Sequence, residues 1–153
     1  MATQLHISRA ETAAQIEQCM SIREVVFVHE QGVPVDLERD GKDDSAIHYL
    51  AADDDDAVGT ARVLVQPDRF KFQRVAVLGR ARGTGVGAAI MRFMMADLSA
   101  RADAASKRFF LSSQVSAIPF YEKLGFAVCS EEYEDAGIQH RDMIADITVA
   151  DPS

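Results

Sequence analysis

Cysteine is scarce in this chain of 153 residues: only Cys19 and Cys129 occur, neither in a short-spaced pair nor in a framework of spaced cysteines. That pattern excludes a disulfide-stapled scaffold and a cysteine-ligated zinc domain, and a reducing cytoplasm is the expected setting. Basic residues are also few, 16 against 24 acidic, for a formal charge of −8. Nucleic-acid binding depends mostly on neutralising phosphates, so no nucleic-acid partner is expected, and any phosphate ligand has to be held locally. Long apolar runs are missing as well. The most apolar helical stretch is interrupted by Arg92 and Asp97, and residues 1–9 hold no apolar signal core, so a soluble protein without a membrane partner is expected. No repeat, low-complexity linker or compositional boundary divides the chain, which leaves residues 1–153 as one domain. Its 48% hydrophobic content is enough for a core without a structural metal.

Several catalytic signatures are absent too. No Gly-Lys-Ser or Gly-Lys-Thr follows the glycines, which excludes a Walker loop, and His29-Glu30 lacks the second histidine of a metalloprotease helix. No metal site is expected. No serine occupies a nucleophile elbow and Cys129 has no evident partner, so a covalent acyl-enzyme is not expected either.

What is present is alternation of strand and helix patterns. Residues 4–8 read as a strand, and residues 11–27 as a helix whose apolar stripe is Ile16, Cys19, Met20 and Phe27. Arg23 falls on that stripe, where a guanidinium has to find a carboxylate, a carbonyl or a ligand, or else lift its head to solvent. Residues 27–45 read as loop or short helix. Residues 47–52 and 58–66 read as strands across a turn of four aspartates, and residues 70–78 as a third strand. Two stretches are acidic, 36–44 and 53–56. Either one draws a cationic amine toward the protein or, the better reading for the second, it is a solvated hairpin turn. A helix over 85–101, a strand over 108–112, a short helix over 116–124 ended by Gly125, and strands over 126–129 and 138–147 complete the chain. The fold class that follows is α/β of the α+β kind, with a mixed, mostly antiparallel central sheet and one parallel pair across the long helix.

The segment Arg74-Val-Ala-Val-Leu-Gly-Arg-Ala-Arg-Gly-Thr-Gly-Val-Gly-Ala88 runs a strand through glycines into a helix. The first amides of a helix lack intrahelical partners and carry partial positive charge, and glycines let a ligand approach the backbone, so this is an anion site. Arg80 and Arg82 add cationic heads. The alternatives are a helix merely packed close to the sheet, and a dinucleotide fingerprint formed by Gly83, Gly85 and Ala88. The latter is disfavoured because three antiparallel strands come first.

The same residues resemble the GCN5-related N-acetyltransferase family (GNAT). Arg82, Gly85 and Gly87 satisfy its coenzyme A signature, and Pro119-Phe-Tyr-Glu-Lys-Leu-Gly-Phe126 is similar to its second conserved helix. Arg23, Val26-Phe27, Glu30-Gln31, Val33-Pro34, Glu38, Asp40, His48 and Gly137-Ile138 before His140 resemble the ElaA-like subgroup of small bacterial acyltransferases. The resemblance implies the GNAT fold, with helices on both sheet faces, and acetyl-CoA as co-substrate. It implies that Val75, Ala76 and Val77 on a bulged strand pair with the pantetheine, and that the pyrophosphate sits on the amides of Arg82, Gly83, Thr84, Gly85, Val86, Gly87 and Ala88. It further implies that the strand ending at Val77 splays from the one ending near Ser112. Ser116 stands where many members have asparagine, and Gln139 stands where the subgroup has proline.

Acyl transfer needs a neutral amine, donors for the developing oxyanion, and a proton for the departing thiolate. The resemblance gives Tyr121 the acid role, while its aromatic neighbours alone suggest a core residue. Glu30, Glu38, Asp40, His48 and His140 are candidate bases or substrate ligands, together with Arg23. The expected activity is direct transfer of an acetyl group from acetyl-CoA to a primary amine of a small molecule or peptide. The alternatives are a non-catalytic acyl-CoA sensor and a dinucleotide-dependent oxidoreductase. The acceptor's identity and a homodimer are left open.

Overall fold

The computed structural model describes residues 4–147, so the ends of the single-domain reading, residues 1–3 and 148–153, lie outside the described residues. Strand β1 (Leu5–Arg9) leads into helix α1 (Ala13–Arg23). Thr12 caps α1 by accepting from the Gln15 amide at 3.1 Å, while the Gln15 side chain accepts from the Thr12 amide at 3.1 Å, a capping box. The helix expected over 11–27 then changes character. From Glu24–Glu30 it continues in wider π turns, with the Gln31 amide donating five residues back to Val26 at 3.2 Å. Apolar spacing does not separate a 3.6-residue turn from this one over so short a stretch. Ile22 and Val26 complete the buried stripe, and Phe27 is only half-buried.

After a one-turn helix α2 (Val35–Glu38), strands β2 (Ile47–Asp53) and β3 (Asp56–Val65) form a hairpin whose turn is Asp54-Asp55, so the hairpin reading of residues 53–56 holds. Strand β4 (Arg69–Val77) follows, then helix α3 (Val86–Ser99), β5 (Arg108–Gln114), α4 (Ile118–Glu122), β6 (Ala127–Val128), β7 (Tyr133–Asp135) and β8 (Ile138–Ala145). The sequence pattern missed β7, three exposed polar residues held by pairing Tyr133 with His140 and Asp135 with Ile138. The sheet order is β1-β2-β3-β4-β5-β8-β6, with β7 also on β8. All pairs are antiparallel except β4 with β5, which α3 connects. This is the mixed, mostly antiparallel sheet expected.

Helices cover both faces. On one, Ile90, Met91, Met94 and Leu98 of α3 are fully buried against Tyr49, Val63, Phe70 and Phe72. Each such side chain contributes about 1.5–3 kcal/mol by leaving water. The approach is close at Gly59, where an added Cβ would stand 2.7 Å from Ile90 Cδ1. On the other face, Cys19, Ile22 and Val26 pack on Leu50 and Ala76.

Two irregularities in β4 shape the centre of the molecule. Thr60 faces Ala76 but Arg62 faces Gln73, so Arg74 and Val75 together oppose Ala61 in a bulge, and Arg74 takes φ +55°. Such a conformation in a non-glycine residue costs about 1–3 kcal/mol and persists only where its surroundings hold it. The extra residue reverses the alternation: Phe70 and Phe72 face α3, yet Ala76 faces α1 while Val75 and Val77 pack toward α3. The second irregularity is a fork. Pairing of β4 with β5 stops at Phe72 and Leu111; beyond it β4 continues on β3 alone, and Ser112, Ser113 and Gln114 continue on β8.

Candidate active site

The fork opens a cleft of about 490 Å³ lined by Phe72 to Val75 on one branch, Leu111 to Gln114 on the other, and Tyr121, Tyr133 and His140. A second hollow of about 300 Å³ joins it through Phe27, Gln31, Gln73, Arg74, Gln114 and His140, and extends to Val33 and Leu37.

At the mouth of the fork lies the glycine turn. Gly83 and Gly85 take φ +78° and +89°, and Gly85 is the residue before α3. The amides of Gly83, Thr84, Gly85, Val86, Gly87 and Ala88 have no hydrogen-bond partner among the described residues, and nothing lies within 4 Å of a Cβ built on Gly83 or Gly85. Gly87 lies against the Phe120 ring. Six free donors at the positive end of a fourteen-residue helix suit a pyrophosphate, and the unpaired edge of β4 past the fork suits an extended pantetheine arm. Arg82 is folded back: its Nε donates to the Val77 carbonyl at 2.9 Å and its Nη2 donates to the Glu30 carboxylate. Ser116 is exposed on a 3₁₀ turn (Val115–Ala117), and its neighbour Ala117 lines the cleft.

Tyr121 projects into the fork with its ring edge-on to Phe120 and Phe126, at 5.0 and 6.1 Å between centroids. Burial pushes its phenol up to about 12, so the hydroxyl stays protonated at neutral pH. His140 lines both hollows. Its Nδ1 lies 2.7 Å from the Ile138 carbonyl, which can only accept, so in the neutral ring Nδ1 carries the hydrogen and Nε2 is left as an acceptor. The ring stacks on Tyr133 with centroids 6.2 Å apart. The Tyr133 hydroxyl donates to Asp142 Oδ1 at 2.5 Å and shares a hydrogen bond with Ser112 Oγ.

Of the other sequence candidates, Glu38 and Asp40 line the second hollow, where arginines hold them, while Arg23 and His48 line neither hollow. Arg23, 1% exposed, donates from Nε to Glu38 Oε1 at 2.5 Å and from Nη1 to Asp43 Oδ1 at 2.6 Å. Arg62, fully buried, bonds Asp40, Asp43 and Gln73, and Arg74 donates to the Leu37 and Glu38 carbonyls. Arg62 holds the Asp40 carboxyl well below the usual range. Glu38, Asp40 and Asp43 thus neutralise three arginines, and the inner part of the 36–44 stretch faces inward. His48 is buried, with Nε2 2.8 Å from the Asp43 carbonyl, and does not line the cleft. Sequence reasoning missed Arg62, although a charged residue between Ala61 and Val63-Leu64-Val65 carried the same signal as Arg23. It also missed Gln73, Gln114, Tyr133 and Asp142, polar residues in polar surroundings that give no such signal.

The sequence pattern described as "Acetyltransferase (GNAT) domain" matches residues 10–147. This chain belongs to the GNAT acetyltransferase family. It is 37% identical over 138 residues to YjcF of Bacillus subtilis, described as an uncharacterized N-acetyltransferase, covering 90% of this chain and 96% of that one. The crystal structure of Escherichia coli ElaA superposes with a TM-score of 0.81 at 26% identity, covering 94% of this chain and 99% of the other. An acyl-CoA N-acyltransferase from Pseudomonas aeruginosa shares the fold at TM-score 0.81 and 23% identity over the same shares. The family's chemistry is acyl transfer with acetyl-CoA as co-substrate, and the free amides, the bulge and the fork fit that molecule. The oxidoreductase alternative loses its basis, since four antiparallel strands precede the glycines where a dinucleotide fold needs a parallel sheet. Among the described residues no group of three or more His, Cys, Asp or Glu is placed to hold a metal, and no helix is long and apolar enough to cross a membrane.

Proposed function

We propose that this GNAT protein moves the acetyl group of acetyl-CoA directly to a primary amine of a small molecule or peptide. The observation that carries the reading is the fork: Tyr121 and the His140 imidazole line the same cleft between the separated strands, and β4, one wall of it, runs on at Val77 into the glycine turn. Acetyl-CoA supplies an activated acyl carbon; the chain binds it, orients the amine and moves protons.

In this reading the amides of residues 83–88 hold the pyrophosphate, the Arg82 amide being spent on the Gly79 carbonyl at 3.2 Å; Val75 to Val77 hold the pantetheine through their backbone, and Ser116 adds a hydroxyl. Tyr121 Oη gives its proton to the departing sulfur. A buried phenol that stays neutral at physiological pH suits that role. His140 Nε2 takes the amine proton, directly or through water, because His140 lines the cleft and Nδ1 is held on the Ile138 carbonyl. Glu30, tied to Arg82, and His48, tied behind the Asp43 carbonyl, fit the base role less well. Arg23 shapes the pocket by fixing Glu38 and Asp43 rather than by touching substrate.

The test is release of free thiol from acetyl-CoA across a panel of primary amines, with Tyr121→Phe in parallel. A ligand stabilises the state that binds it, so acetyl-CoA should raise the melting temperature and NAD should not. Binding of acetyl-CoA with no thiol release on any amine would favour a sensor.

A further inference from the structure

The open face of β4, β5 and β8 is laid out in rows. Residues two apart on a strand share a face, and the register puts Lys71 beside Phe110 and Ile144 at the closed end of the fork, then Ser112 beside Asp142, then Gln114 beside His140 at the open end. Phe110 and Gln114 are four residues apart on β5, a span of about 13 Å.

The closed end is cationic in a chain that is otherwise strongly acidic. Lys71 lines the cleft and is half-buried, yet among the described residues no carboxylate comes within 4.0 Å of its ammonium and it makes no hydrogen bond. Arg69 and Lys42, its neighbours, likewise pair with no carboxylate; the Arg69 guanidinium lies over the Phe110 ring at 3.8 Å. Burial, then Arg69 and Lys42, push the Lys71 ammonium pKa down against the weaker pull of Asp142 and Asp135. A half-buried cation crowded by like charges is destabilised until an anion arrives. The nearby carboxylate of Asp142 accepts from Tyr133, and Asp135 lies at the far rim with His140.

We propose that the acceptor amine of this enzyme also carries an anionic group, a carboxylate or a phosphate, which docks on Lys71 while the amine lies near Gln114 and His140. The proposal rests on the acyl-transfer reading above. The acceptor is then bipolar, with its anion and its amine several bonds apart and the Phe110 ring beneath the segment between them. The chain's charge of −8 repels anions at long range, so their recognition has to be local.

Two matched pairs long enough to reach both ends test this: 6-aminohexanoate against 6-aminohexanamide, and 6-aminohexyl phosphate against 6-amino-1-hexanol. For whichever anion is correct, the charged member should have a kcat/KM at least about tenfold above its neutral mate, as a partly desolvated charge contact gives. In Lys71→Met that ratio should collapse toward one, and Lys71→Arg should restore part of it. Calorimetry of the N-acetylated forms of the four compounds on coenzyme A-saturated protein reads the same discrimination without turnover. Absence of thiol release with tighter binding of a charged member would thus count against the acyl-transfer reading and for the anion site. Equal or better use and binding of both neutral members by the wild type would overturn the anion site, with no variant needed. So would a folded Lys71→Met that keeps the preference.

Discussion

Arg23 and Glu38 bond each other from Nε to Oε1 at 2.5 Å, with side chains 1% and 2% exposed. Removing Arg23 leaves the buried Glu38 with only Arg39, 3.3 Å from its other oxygen, and the more distant Arg74; breaking a buried pair costs about 3–5 kcal/mol. Arg23→Met should therefore lower stability by about that amount, measured by urea unfolding. Arg23→Lys should recover only part, because a point charge cannot serve Glu38 and Asp43 together as the planar fork does. A methionine variant of wild-type stability would show that the pair is dispensable.

Acid should weaken the same cluster through Asp40. Its carboxyl lies below the ordinary value of 3.8 because Arg62 bonds it, with Lys42's amide and Arg74 helping. A folded-state pKa depressed in this way adds stability that is complete above about pH 4 and lost as pH falls further. Wild type should therefore lose stability as pH falls below about 4. Asp40→Asn should be less stable than wild type by about 2–3 kcal/mol at pH 7, and the gap should narrow at pH 3. A gap constant with pH would sever Asp40 from the acid transition.

The elements most legible in the sequence were those whose information is local. The α3 stripe, the glycines around Gly85 and the hairpin aspartates each carry their own geometric signal. Arg62 bonding Asp40 and Gln73, or Tyr133 bridging Ser112 and Asp142, depends on residues distant in the chain that only the sheet register brings together. The π turns at Glu24–Glu30 sit between: helix was legible, its pitch was not. Arg23 was readable as a charge on an apolar stripe, but whether it is buried, and on which partners, was not.

Gly85→Val tests the anion site. At φ +89° with no atom near the Cβ position, valine meets backbone strain of about 1–3 kcal/mol rather than a clash. The protein should remain folded with a lower melting temperature, while coenzyme A affinity falls at least about tenfold as the side chain blocks approach to the amides. Calorimetry reads the affinity; an unchanged value in a folded variant would move the pyrophosphate elsewhere.

Tyr121→Phe keeps the ring between Phe120 and Phe126 and removes the hydroxyl. Turnover should fall about 10²-fold, the lower end for a positioned acid, since a thiolate is already a fair leaving group, with coenzyme A affinity retained. With the phenol at about 12, wild-type kcat should show no alkaline loss from this group up to pH 10. A folded variant with wild-type kcat would leave the sulfur to be protonated by water.

The bulge at Arg74 and Val75 shifts the alternation of β4 by one, so that Phe70 and Phe72 before it and Val75 and Val77 after it all face α3, while Ala76 turns to α1. Sliding β4 by one position along β3 would place the bulge opposite the wrong residue and turn both halves inside out at once. The irregularity therefore acts as a detent that locks strand alignment, and the segment between Phe72 and Val77 should tolerate side-chain exchange far better than the gain or loss of a single residue.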